Sequence, residues 1–169
     1  MAANAGRAQG ACRRPGVNSS RCNRRGAAAP IYTLRRSLGG VATWDDVRRI
    51  ALELPETSER LSRGLRHWQV KDKGFVWERP LRRADLDALG DEAPDGPILG
   101  ARVEHLVAKE ALLADDPTLY FTTPHFDGYP AILVRLDRIG LDDLHELIVE
   151  AWLARAPTRL AKTYLDTSL

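Results

Sequence analysis

No Asp or Glu precedes Asp45 in this chain, and no hydrophobic periodicity precedes Ile31. Such a segment has too little apolar surface to offset the entropy of ordering it, so it cannot supply a core. Residues 1–40, with eight Arg and no Lys, read as a disordered arginine-rich extension. Whatever folds is drawn from residues 41–169, which read as a single domain. Three origins compete for the extension. Its composition suits a targeting peptide, although it has no apolar run for secretion. It also suits a basic arm for nucleic-acid phosphates. The third is a coding start assigned too far upstream, because Val41 stands just before the first helix pattern and a valine codon can serve as a bacterial start.

The same division decides what net charge means. Of 25 Lys and Arg, eight lie in the first 40 residues, so the remainder carries 17 against all 23 Asp and Glu, a net of −6. The overall basicity therefore says nothing about the folded body. At 169 residues and 44% hydrophobic, the chain suits one domain with a core. No apolar run approaches the ~20 residues of a membrane span. Cys12 and Cys22 both fall in the extension, so neither a disulfide framework nor a cysteine metal site is expected in the body. That fits a reducing cytoplasm.

Within the body, Thr43 reads as an N-cap, with Asp45 and Asp46 in the first turn. Trp44, Val47, Ile50, Ala51 and Leu54 recur at helical spacing up to Pro55. Leu61–Leu65 is a short strand candidate. "HWQVKDKGFVWERP" reads as a hairpin, with Trp68 and Val70 on one face and Phe75 and Trp77 returning. Its turn spans Lys71 to Gly74, where the glycine would take the positive φ. A polar connection follows, with one helical turn around Asp85–Leu89, then a strand candidate from Pro97 to Val103 and a helix from Glu104 to Ala114. Ala131–Leu136 is β-rich. Leu141, Leu144, Ile148, Ala151 and Trp152 stripe a last helix, which Pro157 interrupts before Arg159–Leu165. The expected class is α+β: a small antiparallel sheet covered by the N- and C-terminal helices.

Three stretches carry a family resemblance: "TWDDVRRIALELP", "KEALLADDPTLYFTTPHFDGYPAILVRL" and "LIVEAWLARAPTRLAKTY". Together they resemble the MmcQ/YjbR family of small bacterial proteins, from residue 43 to about 165. The resemblance implies a CyaY-like (frataxin-like, double-wing) sandwich and the label of DNA-binding protein, a label that rests on fold analogy. "PLRRADLDALGDEAPDGP" departs from the shorter family pattern as an acidic insertion.

The densest cluster of special residues is "TTPHFDGYP". His125 as general base with Asp127 as its orienter is one reading. Two residues apart in an extended segment would point to opposite faces, however, and no nucleophile elbow accompanies them. The preferred reading is a structural loop that shapes the entry into strand Ala131–Leu136 and lines a small pocket with Thr122, Thr123, His125 and Tyr129. No catalytic residue and no cofactor is expected, so the chain reads as a non-enzymatic binding protein. The frataxin likeness directs attention to Asp45, Asp46, Glu53, Glu56 and Glu59 as metal ligands. Arg48 and Arg49 on the same helix oppose that, and no metal site is assigned. For DNA, the candidates are Lys71 and Lys73 at the hairpin tip and Arg155, Arg159 and Lys162 at helical spacing near the C-terminus. A small molecule or another protein at the loop is the alternative partner.

Overall fold

The computed structural model describes residues 40–168. The expectations for residues 1–39, Cys12 and Cys22 included, lie outside the described residues. Helix α1 (Trp44–Glu53) starts for a local reason. Thr43 is extended and caps it: the Asp46 N–H donates to Thr43 Oγ1 at 3.4 Å, and the Thr43 N–H donates to Asp46 Oδ2 at 3.0 Å. This reciprocal box satisfies backbone donors that the first helical turn leaves unpaired. Val47, Ile50 and Ala51 are its buried stripe.

Strands β1 (Thr57–Ser62), β2 (Leu65–Val70) and β3 (Lys73–Glu78) form an antiparallel meander. Both connections are two residues long, and all four residues have positive φ: 54° at Arg63, 79° at Gly64, 47° at Lys71 and 63° at Asp72. This mirror-image geometry matches the right-handed twist of the strands it joins.

Three expectations are corrected here. The first strand is Thr57–Ser62 rather than Leu61–Leu65, because "TSERLS" has no apolar alternation to announce it. Positive φ falls on Lys71 and Asp72 rather than on Gly74, which already belongs to β3. The β2–β3 register shifts between Trp68 and Gln69, placing Val76 opposite Trp68 and Trp77 opposite His67. Trp77 is therefore on the face opposite to Trp68 and Val70, not on the same one.

Helix α2 (Arg83–Leu89), strand β4 (Ile98–Arg102), helix α3 (Leu106–Asp115), the two-residue strand β5 (Tyr120–Phe121), strand β6 (Ala131–Arg135), and helices α4 (Leu141–Leu153) and α5 (Thr158–Ser168) complete the chain. The sheet has the order β1-β2-β3-β4-β6-β5, with antiparallel neighbours throughout. The architecture is α+β, as expected, with β5 and a separate α5 in addition to the expected elements.

One sheet face is closed. Trp68, Val76, Leu99, Ala101, Ile132 and Val134 point into a core sealed by α1, α3 and α4, and Trp152 of α4 is fully buried there. The other face is covered over one half only. Ile98, Ala131, Leu133 and Phe121 lie in a smaller core with Phe126, against which Trp77, Leu81 and Leu89 pack. The cover is α2 and the segment from Thr122 to Pro130. The insertion thus folds onto the sheet, and Asp85 inside it is buried.

Candidate functional site

The covered half of the second face explains the crowded loop. Pro124–Phe126 is a short 3-10 turn and not an extended segment, so the alternation argument about His125 and Asp127 does not apply. Both side chains are exposed all the same. Phe126 turns inward at 6% exposure. It meets His125 edge-on at 4.9 Å, and the Arg79 guanidinium lies 5.4 Å from its ring centre. From α3, the buried Lys109 Nζ donates to the carbonyls of Phe126 at 2.6 Å and Tyr129 at 3.3 Å. Burial lowers the Lys109 pKa, and the nearby Asp127 partly opposes this.

Beneath the loop, Arg79 and Asp85 form a buried ion pair at 2.8 Å. Burial alone would raise the Asp85 pKa; the Arg82 N–H and the Arg79 guanidinium outweigh that and hold it low. Thr123 is buried and Thr122 half-buried. Within the loop, the Phe126, Asp127 and Tyr129 N–H groups donate to the Thr123, Pro124 and Phe126 carbonyls, and the Val103 N–H, just after β4, donates to the Pro130 carbonyl. This is the kind of pairing a segment lying on a sheet requires.

The uncovered half is built by register. Arg60 on β1 stands opposite His67 on β2, His67 opposite Trp77 on β3, and Trp77 opposite Gly100 on β4. These four residues make one row across the second face. An ideal Cβ on Gly100 would lie 2.4 Å from Trp77 Cε2, so the missing side chain is what lets the indole lie against the sheet. Two positions along β4, Arg102 sits over both Trp77 (5.6 Å to the ring centre) and Tyr129 (4.4 Å), and its Nη2 donates to Tyr129 Oη at 2.7 Å. Burial and the neighbouring Arg60 lower the His67 pKa, with Glu78 opposing.

Of this group, sequence reasoning singled out only Tyr129. Arg60, His67, Trp77 and Arg102 come from four different strands, and only the pairing register aligns them. The period-2 alternation of "HWQV" and "ILGAR" was the available signal.

The five cations proposed from sequence converge in part. Lys71 at the hairpin tip pairs with Glu56. The adjoining Pro55 carbonyl accepts the Trp152 indole N–H at 3.2 Å. Arg155 follows directly, its N–H donating to the Trp152 carbonyl at 3.0 Å. The tip and the α4–α5 joint therefore share one end of the molecule. Arg155 lies in the joint, which corrects its expected place on one helix with Arg159 and Lys162: α4 stops at Leu153 and α5 begins after Pro157. The α5 stripe of Leu160 and Tyr164 packs inward, and Trp152 meets Tyr164 at 5.1 Å, while Arg159 and Lys162 are exposed.

Of the five acidic residues considered for metal, all but Asp45 are occupied by arginine or lysine. Arg48 holds Glu59 at 2.8 Å, Arg49 reaches Asp46 and Glu53 at 3.6 and 3.5 Å, and Lys71 holds Glu56. Among the described residues, no group of three or more His, Cys, Asp or Glu is placed to hold a metal. His105 caps α3, accepting the Ala108 N–H at 3.1 Å. A cleft of about 350 Å³ opens between α1 and β1, lined by Trp44, Arg48, Glu59, Leu61 and Arg66 among others. It lies away from His125 and Tyr129, where a pocket was expected. Among the described residues, no helix is long and apolar enough to cross a membrane.

A six-stranded antiparallel sheet of this order, with one face sealed by helices, defines a small α+β domain whose solved counterpart is known. A crystal structure of a Deinococcus radiodurans protein, carrying family-model domain DUF419, superposes with a TM-score of 0.51 at 21% identity, covering 67% of this chain and 78% of that one. The chain belongs to the YjbR family, whose model matches residues 52–154. Uncharacterized proteins of Mycobacterium tuberculosis and Mycobacterium bovis are 53% identical over 131 residues, covering 76% of this chain and 99% of each relative.

Proposed function

We propose that the protein is a non-enzymatic, cytoplasmic binding module that takes DNA at the end formed by the β2–β3 tip and the α4–α5 joint. The observation that carries this reading is that the β2–β3 tip, which bears Lys73, and the α4–α5 joint, which leads from Arg155 to Arg159 and Lys162, adjoin the same Pro55–Glu56 segment. None of these four cations forms an ion pair among the described residues. Unpaired cations can neutralise phosphates without first breaking a protein contact, and screening leaves distant carboxylates with little influence beyond ~10 Å. Lys71 contributes less, because Glu56 already holds it. The alternative, a small-ligand or protein site at the Thr122–Pro130 loop, is less supported, because the loop's apolar ring, Phe126, turns into the core.

The test is a titration of the full chain against duplex DNA at several salt concentrations. It is repeated with Lys73, Arg155, Arg159 and Lys162 all changed to Gln. Each phosphate contact adds about 0.9 to the slope of log affinity against log salt, so the fourfold variant should lose up to about 3.6 from that slope. An unchanged slope and affinity would remove this end as the binding surface.

A further inference from the structure

The half of the second sheet face that α2 and the loop leave open has a distinctive chemistry on its strands. Its strands place Ser58, Arg60 and Ser62 of β1, Leu65, His67 and Gln69 of β2, and Trp77 of β3 on that side, with Gly100 and Arg102 of β4 beyond. The two carboxylates of the meander strands, Glu59 and Glu78, lie on the closed side, opposite Trp68 and Leu99. The open strands therefore carry two arginines, a histidine and an indole and no carboxylate, although acids outnumber bases in the body as a whole. The Tyr129 phenol stands on the loop beside them, and the Asp72 carboxylate, reached by Gln69, lies at the hairpin tip.

Arg102 makes the case sharper. Its guanidinium is held between the rings of Trp77 and Tyr129 with Nη2 on the phenol oxygen, and no carboxylate among the described residues pairs with it. Its Nε is buried without a hydrogen-bond partner. Arg60 is exposed and forms no ion pair among the described residues, and Tyr129 is 45% exposed. Ring faces beside unpaired cations, spread over three strand intervals or about 14 Å, match a polyanion that carries flat rings along its length. A duplex keeps its base faces stacked inside itself; an unpaired strand offers them.

We propose that this row seats the unpaired bases of a single-stranded nucleic acid, with Trp77 and Tyr129 supplying ring faces and Arg60 and Arg102 facing its phosphates. The inference rests on the nucleic-acid reading above and adds the substrate class: single strand on the sheet face, duplex at the hairpin end.

The experiment measures affinity of the full chain for three probes: a short oligothymidylate, a duplex of the same length, and inorganic polyphosphate, which has the charge without the rings. Tyr129→Leu removes a ring without changing charge, and the Tyr129 carbonyl that Lys109 uses is untouched. It should weaken oligothymidylate by roughly five- to a hundredfold while duplex and polyphosphate stay within about twofold. Arg60→Gln, at an exposed edge position, should lower the salt slope for oligothymidylate by about 0.7. Arg102→Lys, which keeps the charge and loses the planar stack, should behave like Tyr129→Leu.

Oligothymidylate binding that neither Tyr129→Leu nor Arg102→Lys alters would overturn the inference and leave the duplex reading standing. Absence of binding to both nucleic-acid probes would overturn both readings together. If the unliganded chain self-associates and Tyr129→Leu makes it monomeric, the occupant is a second copy and the single-strand seat is wrong.

Discussion

The two faces of the sheet are made by the same six strands and are put to opposite uses. On the closed face, Trp68, Leu99, Ile132, Val134, Leu144, Ile148 and Trp152 are fully buried. On the other, His67, Trp77 and Arg102 are only half-buried and Arg60 is exposed. The four buried polar or charged side chains, Arg79, Asp85, Lys109 and Thr123, all belong to the loop or to its supports. Where a helix covers the sheet, side chains alone make the seal. Where a loop covers it, the loop's backbone carbonyls come with it and need partners. Lys109 answers that need for Phe126 and Tyr129, while Arg79 pairs with Asp85 beneath the Phe126 ring. Stability is thus concentrated on one face, and the second is free to carry rings and unpaired cations that a dry core would not tolerate.

If that division is right, the largest loss comes from Trp152→Ala. It removes a fully buried indole and its hydrogen bond to Pro55, which ties α4 to the segment between α1 and β1. The expected cost is about 3–5 kcal/mol by urea denaturation. Trp77→Ala should cost clearly less, because its ring is only half-buried. Equal costs would break the comparison.

Next in size is Lys109→Met, which leaves the Phe126 and Tyr129 carbonyls without their buried donor, at about 1–3 kcal/mol. It also carries a pH signature. Lys109 holds its proton less tightly in the fold than at the ordinary 10.5 of an unfolded chain. The unfolded state therefore binds more protons between the lowered pKa and 10.5, so stability rises with pH across that window. The gap between wild type and Lys109→Met should widen from neutral pH towards about pH 10, because Met does not titrate. A gap that shrinks would mean that the buried ammonium is held better than water holds it.

How much of this could be read from the chain depended on whether the cause was local. α1 was legible because Thr43, Asp46 and the apolar stripe act within one turn of each other. The β2–β3 hairpin was legible as a hairpin, yet the obvious glycine pointed to the wrong turn residues, since Lys71 and Asp72 accept positive φ and Gly74 does not use it. β1 was misplaced because an edge strand need not alternate. The Trp77 face was misassigned because a register shift cannot be seen in either strand alone. The loop was legible as structural, but its partners Lys109, Arg79 and Asp85 all lie 14 or more residues before Thr123 in the sequence. The Arg60–His67–Trp77 row fails the same test of locality.

A third prediction probes the open face from below. Gly100→Ala places a methyl group where the Trp77 indole now lies, and the indole must lift or tilt. The expected cost is about 1–2 kcal/mol, with a changed near-ultraviolet circular dichroism band and an unchanged far-ultraviolet spectrum. The packing of Trp77 on Phe126, 6.2 Å between ring centres, should loosen with it. Loss of the far-ultraviolet signal as well would show that the open face is as structural as the closed one.

The smallest effect comes from the two turns of the meander, which test whether the open half carries local strain independent of the core. Arg63 and Lys71 both hold positive φ with a Cβ present, a conformation that Asn and Gly adopt far more readily. Arg63→Asn would put an Asn-Gly pair, the preferred one for a two-residue mirror-image turn, in place of Arg-Gly. Arg63 has no ion partner among the described residues to lose. The change should raise stability by about 0.5–1 kcal/mol. Lys71→Asn relieves the same kind of strain but gives up the bridge to Glu56, an exposed pair worth about 0–1 kcal/mol, so its net gain should be smaller or nil. Measuring both against Trp152→Ala separates the two contributions. If the turn variants gain as expected while the large truncation on the closed face costs several times more, local geometry shapes the meander and the closed core holds it in place.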